Sequence, residues 1–338
     1  MDAPPPPTPP VALLLPGQGA QQQRMGAGLY GADPAFTAAM DEVFSAFGDF
    51  GVALRADWLA EDPMEPVDVP TRSQPLLFAL GYALGRMVLS WGVRPAALLG
   101  HSIGEVAAAA LAGVFDPADA AALLRLRLDQ LADAPEGGMF AVAAGEEDVR
   151  PFLGGGVVVG AVNGRRQVVL AGPAAPLALA VERLRAAGLT GTPVPSTLPF
   201  HSPALAYSVP GFTEAARRVR LRPPRLTVYS GYTAAPLGVE ATDPAFWASH
   251  PVAPVRFWPA LDALLATGDH LLVEAGPGLG LVTLARRHRS VRPGGSAVAA
   301  LLPARAGDPA ADRAAARAVA DLVTAGRARV PSLRRNSR

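Results

Sequence analysis

Leu98-Leu99-Gly100-His101-Ser102-Ile103-Gly104-Glu105 is an apolar run ending in Gly-x-Ser-x-Gly, and Val106-Ala107-Ala108-Ala109-Ala110-Leu111 continues it with a helix-forming composition. The pattern predicts a strand that turns sharply into a helix around Ser102, the arrangement called a nucleophile elbow. Gly100 and Gly104 carry no side chain, so strand and helix can close on each other around a strained serine. The hydroxyl then stands at a helix N-terminus, where unpaired backbone N–H groups can stabilise developing negative charge. Gly-x-Ser-x-Gly alone arises easily in a chain rich in glycine and alanine. Here the flanking segments on both sides supply the context that a catalytic serine requires.

Working outward, Val11-Ala12-Leu13-Leu14-Leu15 reads as a short buried strand stopped by Pro16-Gly17-Gln18-Gly19. Thr71-Arg72-Ser73-Gln74-Pro75 opens a long helix through Leu76, Leu80, Leu84 and Val88. Asp116-Pro117-Ala118-Asp119 has the form of an N-cap and first turn, followed by a helix through Leu123, Leu124 and Arg127. From Met139 to Pro195 the spacing predicts strand (139–143), helix (146–153), strand (157–163), strand (167–171), helix (176–187) and strand (191–195). That β-α-β-β-α-β order is the split pattern of a ferredoxin-like unit. Apolar strands over 226–230 and 270–274 and an alanine-rich helix over 309–324 follow it. The chain is therefore expected to be α/β: a large domain over 11–135 and 203–325, an inserted ferredoxin-like domain over 136–202, a proline-rich arm over 1–10 and a tail over 326–338.

Composition narrows the chemistry. Half of the 338 residues are hydrophobic and the net charge is +1, with no basic run before the C-terminus, which gives no footprint for nucleic acid. Cysteine is absent, which excludes thiol catalysis and cysteine-held metals and fits a reducing cytoplasm. Lysine is absent too, so neither a Schiff-base lysine nor a P-loop lysine is available. No segment has the form of a signal peptide or a membrane span, and no membrane role is expected.

A serine nucleophile needs a base, and the chain has five histidines. His101 adjoins the serine and leaves the elbow in another direction, His270 begins an apolar strand, and His288 lies among arginines. His201, in Pro199-Phe200-His201-Ser202-Pro203 where the inserted domain returns, is the favoured base; His250, after Phe246-Trp247, is the other candidate. A domain junction is where a cleft is expected. No acid identifies itself as a third member. Asp243 and Asp269 are near histidines in sequence only, and a backbone carbonyl fixing the imidazole tautomer would serve as well.

Several stretches in order carry a resemblance: Pro16-Gly17-Gln18-Gly19-Ala20-Gln21, Gln74-Pro75-Leu76-Leu77-Phe78, Gly100-His101-Ser102-Ile103-Gly104-Glu105, Phe200-His201-Ser202, Phe246-Trp247 with Pro254-Val255-Arg256-Phe257, and Glu274-Ala275-Gly276-Pro277-Gly278. Together they resemble malonyl-CoA:acyl-carrier-protein transacylases and the acyltransferase domains of polyketide and fatty-acid synthases. The resemblance implies an α/β-hydrolase-like core with a ferredoxin-like insertion. It also implies Ser102 as acyl acceptor, His201 as base and the N–H groups of Gln18 and Ile103 as oxyanion hole. His250 falls where the family commonly has Gln or Asn, at a position whose main-chain carbonyl orients the catalytic histidine. Arg127 falls where relatives bind the free carboxylate of malonyl-type groups; Arg125 reads as a helix-surface residue, and Leu128-Asp129 departs from the small residue usual after that arginine. Phe200, beside the base, matches the malonyl-selecting form, although Leu198-Pro199 replaces the residues that precede it there. Gln74 and His101 complete the expected substrate surroundings.

The expected activity is transfer of a malonyl group from CoA to the phosphopantetheine thiol of an acyl carrier protein, with no metal or bound cofactor. A carrier-protein thioesterase and a non-catalytic carrier-protein docking module are the rival classes. Met1 and the absence of neighbouring synthase sequence lead to the expectation of a free-standing, trans-acting enzyme.

Overall fold

The structure, a computed structural model, describes residues 9–324 except 133. Most of the expected proline-rich arm and all of the expected tail, with Arg334-Arg335-Asn336-Ser337-Arg338, lie outside the described residues.

Strand β1 (Val11–Leu15) is followed by helices α1 (Pro34–Ala46), α2 (Asp49–Leu59) and α3 (Pro70–Ser90). Then come β2 (Ala97–Gly100), α4 (Ile103–Ala112) and α5 (Pro117–Leu131). The next unit runs β3 (Gly137–Val142), α6 (Glu146–Val149), β4 (Val158–Gly164), β5 (Gln167–Pro173), α7 (Ala174–Ala186) and β6 (Gly191–Val194). The chain returns through α8 (Val209–Ala216), β7 (Val228–Tyr229), α9 (Pro244–Ser249) and α10 (Phe257–Leu265). It ends with β8 (Leu271–Glu274), α11 (Gly280–Ala285), β9 (Ala297–Ala300) and α12 (Pro309–Thr324).

The larger sheet has the order β7-β2-β1-β8-β9, every pairing parallel. Its central strands are buried on both faces, which is why β1 and β2 read as unbroken apolar runs and not as alternating ones. Leu13 and Leu15 pack with the α3 and α4 side chains on one face, while Ala12, Leu14 and Leu99 pack on the other. That second face meets Met139, Ala161, Val169 and Ala171 of the small sheet, so one shared core joins the two units. The small sheet is antiparallel, order β4-β5-β3-β6. Its other face, with Phe140, Val142 and Leu170, is covered by Leu177 and Leu184 of α7.

Three local expectations are corrected and one further strand is found. The helix expected over 146–153 is α-helical only to Val149 and finishes as a 3-10 turn over Arg150–Phe152, because Pro151 cannot supply an α-helical N–H. The strand expected over 226–230 shrinks to Val228–Tyr229, since the Ser230 hydroxyl turns the chain by accepting from the N–H groups of Tyr232 and Thr233. Asp116 precedes α5 but makes no side-chain cap; its carboxylate is held at 2.9 and 3.1 Å by Arg222. Strand β9 was not anticipated, because Ala297-Val298-Ala299-Ala300 has little β propensity of its own and is ordered by pairing with β8.

The contact on which the site depends is between α4 and β1. A Cβ at Gly104 would collide with the Leu15 carbonyl oxygen, and one at Gly100 with the Glu105 backbone. Gly104→Ala is therefore expected to force α4 away from β1. The cost should be about 1–3 kcal/mol, typical of overpacking, seen as a lowered Tm with loss of Ser102 reactivity. A variant of wild-type Tm and reactivity would contradict this packing.

Candidate active site

Gly100 ends β2 and Ile103 begins α4, leaving His101 and Ser102 to make the turn. Ser102 has φ 54° and ψ −119°. A non-glycine residue is held there only by its surroundings, at a cost of about 1–3 kcal/mol. Three contacts do the holding: His101 N–H donates to the Leu15 carbonyl at 2.9 Å, Gly104 N–H to His101 at 3.0 Å, and Glu105 N–H to Ser102 at 2.9 Å. The serine is thereby set at the carboxyl end of a central parallel strand, where sites of α/β sheets are found.

His201 meets it. Ser102 Oγ lies 2.8 Å from His201 Nε2, and His201 Nδ1 lies 3.0 Å from the Ala253 carbonyl oxygen. A carbonyl can only accept, so Nδ1 carries the proton and Nε2 is free to accept from the serine hydroxyl. His201 too has a positive φ, 63°, and its N–H donates to the Pro251 carbonyl at 2.6 Å. The ring is 6% exposed. Burial, then the neighbouring His101 ring, lower its pKa to about 3, so the imidazole is neutral at physiological pH.

The other histidines separate clearly. The carbonyl that fixes His201 belongs to Ala253; that of His250, the position expected to do so, makes a lesser contact with the same ring. The His250 ring is 1% exposed, and neither nitrogen has a hydrogen-bond partner among the described residues. Burial holds it neutral. His288 pairs with Asp262 at 2.9 Å and His270 with the Gly268 carbonyl. Asp243 caps α9 at Ala245, and Asp269 accepts from Ser296, so neither reaches a histidine ring.

The loop after β1 lies directly on the elbow: a Cβ at Gly17 would meet the His101 carbonyl and come within 3.1 Å of Ser102 Cβ. This brings the backbone of Gln18 beside that of Ile103. Neither N–H donates to any described acceptor. The Gln18 side chain is steadied by Gln74, whose Nε2 donates to Gln18 Oε1 at 3.3 Å.

A cavity of about 260 Å³ opens at the pair, bounded by Gln18, His101 and Ser102 on the large unit, by Met139 and Val169 on the small sheet, and by Phe200. An adjoining cleft of about 550 Å³ shares Gln18 and His101 and runs to Gln167 and Arg287. His101 Nε2 contacts Asn163 Oδ1 at 2.8 Å, linking the elbow to β4.

Arg127, on α5, lies outside the lining of that cavity, close to Tyr232, His201 and His250. It is 6% exposed, sits 5.3 Å over the Phe212 ring, and has neither an acidic partner nor a hydrogen-bond acceptor among the described residues. Burial lowers its pKa to about 10, which leaves it cationic at neutral pH. Arg125, by contrast, stacks 4.1 Å over Phe50 and pairs with Asp129 on the surface. Two residues near the site escaped the sequence reading, Asn163 and Tyr232. Tyr232 follows the carboxyl end of β7, and that placement was the signal that could have found it.

A strained serine, a neutral histidine fixed by a carbonyl and two free backbone donors thus meet at the carboxyl end of a parallel strand of an α/β sheet. The chain belongs to the acyl transferase domain family, whose model matches residues 13–324. It is 40% identical over 283 residues to a phenolphthiocerol/phthiocerol polyketide synthase of Mycobacterium tuberculosis, covering 82% of this chain and 19% of that protein. It is 36% identical over 310 residues to polyketide synthase GfsA of Streptomyces halstedii, covering 88% of this chain and 4% of the relative. The chain thus spans about a fifth or less of the length of these relatives. Among solved structures, the acyltransferase domain from the second module of the salinomycin polyketide synthase aligns with TM-score 0.84 at 35% identity, over 95% of this chain and 76% of that one. The malonyl-CoA–acyl carrier protein transacylase of Coxiella burnetii, at 22% identity and TM-score 0.78 over 87% of this chain and 95% of that one, shares the fold. These neighbours pair an α/β large domain with a small ferredoxin-like subdomain, as this chain does. Among the described residues no helix is long and apolar enough to cross a membrane.

An ordinary histidine gains its proton as pH falls through about 6.5, whereas His201 stays neutral down to about 3. Labelling of Ser102 by a fluorophosphonate is therefore expected to stay level from pH 7 to pH 5. A fall centred near 6.5 would mean that His201 is not held neutral.

Proposed function

We propose that this chain is an acyl-carrier-protein S-acyltransferase selective for malonyl groups, acting through an ester on Ser102. The buried Arg127 guanidinium, lacking any acidic partner among the described residues, is the observation that supports a dicarboxylic substrate. A guanidinium holds a carboxylate with two parallel hydrogen bonds, and an acyl group with a free carboxylate supplies the missing partner.

In the first half-reaction Ser102 Oγ attacks the thioester carbonyl of malonyl-CoA while His201 Nε2 takes the hydroxyl proton. The tetrahedral oxyanion is held by the N–H groups of Gln18 and Ile103, where one donor is typically worth about 3–4 kcal/mol. The C–S bond then breaks, and His201 returns the proton to the departing CoA sulfur. In the second half-reaction the phosphopantetheine thiol of an acyl carrier protein enters, gives its proton to His201 and attacks the ester carbonyl. The C–O bond breaks and Ser102 regains its proton from His201. This ping-pong cycle uses no metal and no resident cofactor. The proposed setting is the cytoplasm, in polyketide or fatty-acid biosynthesis.

The partly apolar cavity beside Ser102, with Phe200 only 4% exposed in its wall, supports selection of an unbranched acyl group. Discrimination against one methyl branch is worth about 1–3 kcal/mol, which gives a strong preference and not exclusion.

Intact-mass analysis after exposure to malonyl-, methylmalonyl- and acetyl-CoA is expected to show malonyl loading, absent in Ser102→Ala and strongly depressed in a folded His201→Ala. Addition of carrier protein should discharge the ester onto its thiol; rapid discharge to water without carrier would identify a thioesterase instead. Arg127→Ala is expected to lower malonyl and methylmalonyl loading about tenfold or more relative to acetyl, from the loss of a charged hydrogen-bond pair. Phe200→Ser should narrow the malonyl-to-methylmalonyl ratio. Equal wild-type loading of all three groups would refute this assignment of the pocket.

A further inference from the structure

Tyr232 is the feature of this site that the acyl-transfer cycle leaves without a task. Its ring lies nearly parallel to His250, with centroids 3.9 Å apart and an interplanar angle of 20°. Phe246 meets both rings edge-on, at 6.3 Å for Tyr232 and 5.0 Å for His250. The backbone is fixed as firmly: Tyr232 N–H donates to Ser230 Oγ at 3.0 Å, and Gly231 N–H donates at 2.7 Å to Glu105, a fully buried side chain of the elbow helix. His250 makes no hydrogen bond through its ring, so its contribution at this point is the stack itself.

The ring is thereby held beside the catalytic pair, its centroid 6.2 Å from that of His201. The phenol is close enough to Arg127 for each to feel the other's charge. Burial pushes its pKa upward, which keeps the hydroxyl protonated and able to donate. Tyr232 is less deeply sealed than His250, which is 1% exposed.

A carboxylate has about four lone-pair sites, and a guanidinium fork occupies two of them. In a buried site an acceptor left without a donor is costly. We propose that the Tyr232 hydroxyl is a specificity-determining donor that hydrogen-bonds the carboxylate end of the acyl group alongside Arg127, with the His250 ring holding it in place. The inference rests on the malonyl-transfer reading above and adds a second group to the recognition of the same carboxylate. An acetyl group, having no carboxylate, gains nothing from this hydroxyl.

Tyr232→Phe keeps the ring and the stack and removes only the hydroxyl. Initial rates of Ser102 acylation by malonyl-CoA and acetyl-CoA, followed by intact mass, are expected to show the malonyl-to-acetyl ratio reduced about tenfold, with Tm unchanged. His250→Ala, which frees the ring, should shift the ratio in the same direction. The double variant should fall no further than Tyr232→Phe alone, because both act through one contact. An unchanged ratio, or equal losses on both thioesters, would overturn the proposal: the second result would mean that the hydroxyl serves Ser102 or the fold and not the carboxylate. If wild type loads malonyl while the Tyr232→Phe ratio is unmoved, this inference alone fails. If wild type is acylated by neither thioester, the malonyl-transfer reading fails with it.

Discussion

Everything at this site depends on how closely the first turn of α4 can approach β1. Gly104 lies against the Leu15 carbonyl with no room for a methyl group, and His101 N–H closes on the same oxygen. Those contacts are what hold Ser102 at φ 54°, a conformation a free serine would leave at once. The strain is small beside the packing that imposes it. Leu13, Leu15, Leu98 and the alanines of α4 are all but sealed from solvent in one core, so the turn cannot relax without opening that core.

The histidine is set by an independent but equivalent device. His201 also has a positive φ, and its backbone and ring are pinned by the carbonyls of Pro251 and Ala253 on the segment after α9. The loop arriving from β6 therefore delivers the base while a different loop fixes its tautomer. Among the described residues no carboxylate takes part. A carbonyl orients the ring as well as an acid would, but supplies less stabilisation to an imidazolium; burial, then the neighbouring His101 ring, is what depresses the pKa of His201. In the cycle proposed above, proton transfer is then driven by the bonding changes at the thioester, with the imidazolium only a brief occupant.

Much of this was legible in the residues. The elbow, the βαββαβ order of the small unit and the serine–histidine pairing follow from glycine spacing, apolar runs and the position of His201 at a proline-bounded junction. The boundaries moved only where a local competitor intervened: Pro151 inside a helix, the Ser230 hydroxyl at the end of a strand, Arg222 drawing Asp116 away from a cap. What the sequence could not disclose was tertiary. Nothing in Ala297-Val298-Ala299-Ala300 marks a strand until β8 lies beside it. Nor does Gly231-Tyr232-Thr233 announce that its ring will lie against His250, because that contact joins segments that meet only after the large sheet has formed. The carbonyl that orients His201 was foreseen in kind; Ala253 supplies the main contact, with His250, the foreseen position, making a lesser one.

The shared core between the two sheets has a consequence for how such a site can change. Ser102 and the free N–H groups of Gln18 and Ile103 belong to the unit built on the parallel sheet, while the far wall of the cavity, with Met139 and Val169, belongs to the antiparallel one. Chemistry and capacity are thus written on separate pieces of chain. A residue exchanged on β3 or β5 resizes the chamber without disturbing the angle at which the nucleophile meets its base. What the chamber accepts can thus be altered in the small sheet, while the strained turn on the large sheet stays under a steric constraint that admits no added methyl group.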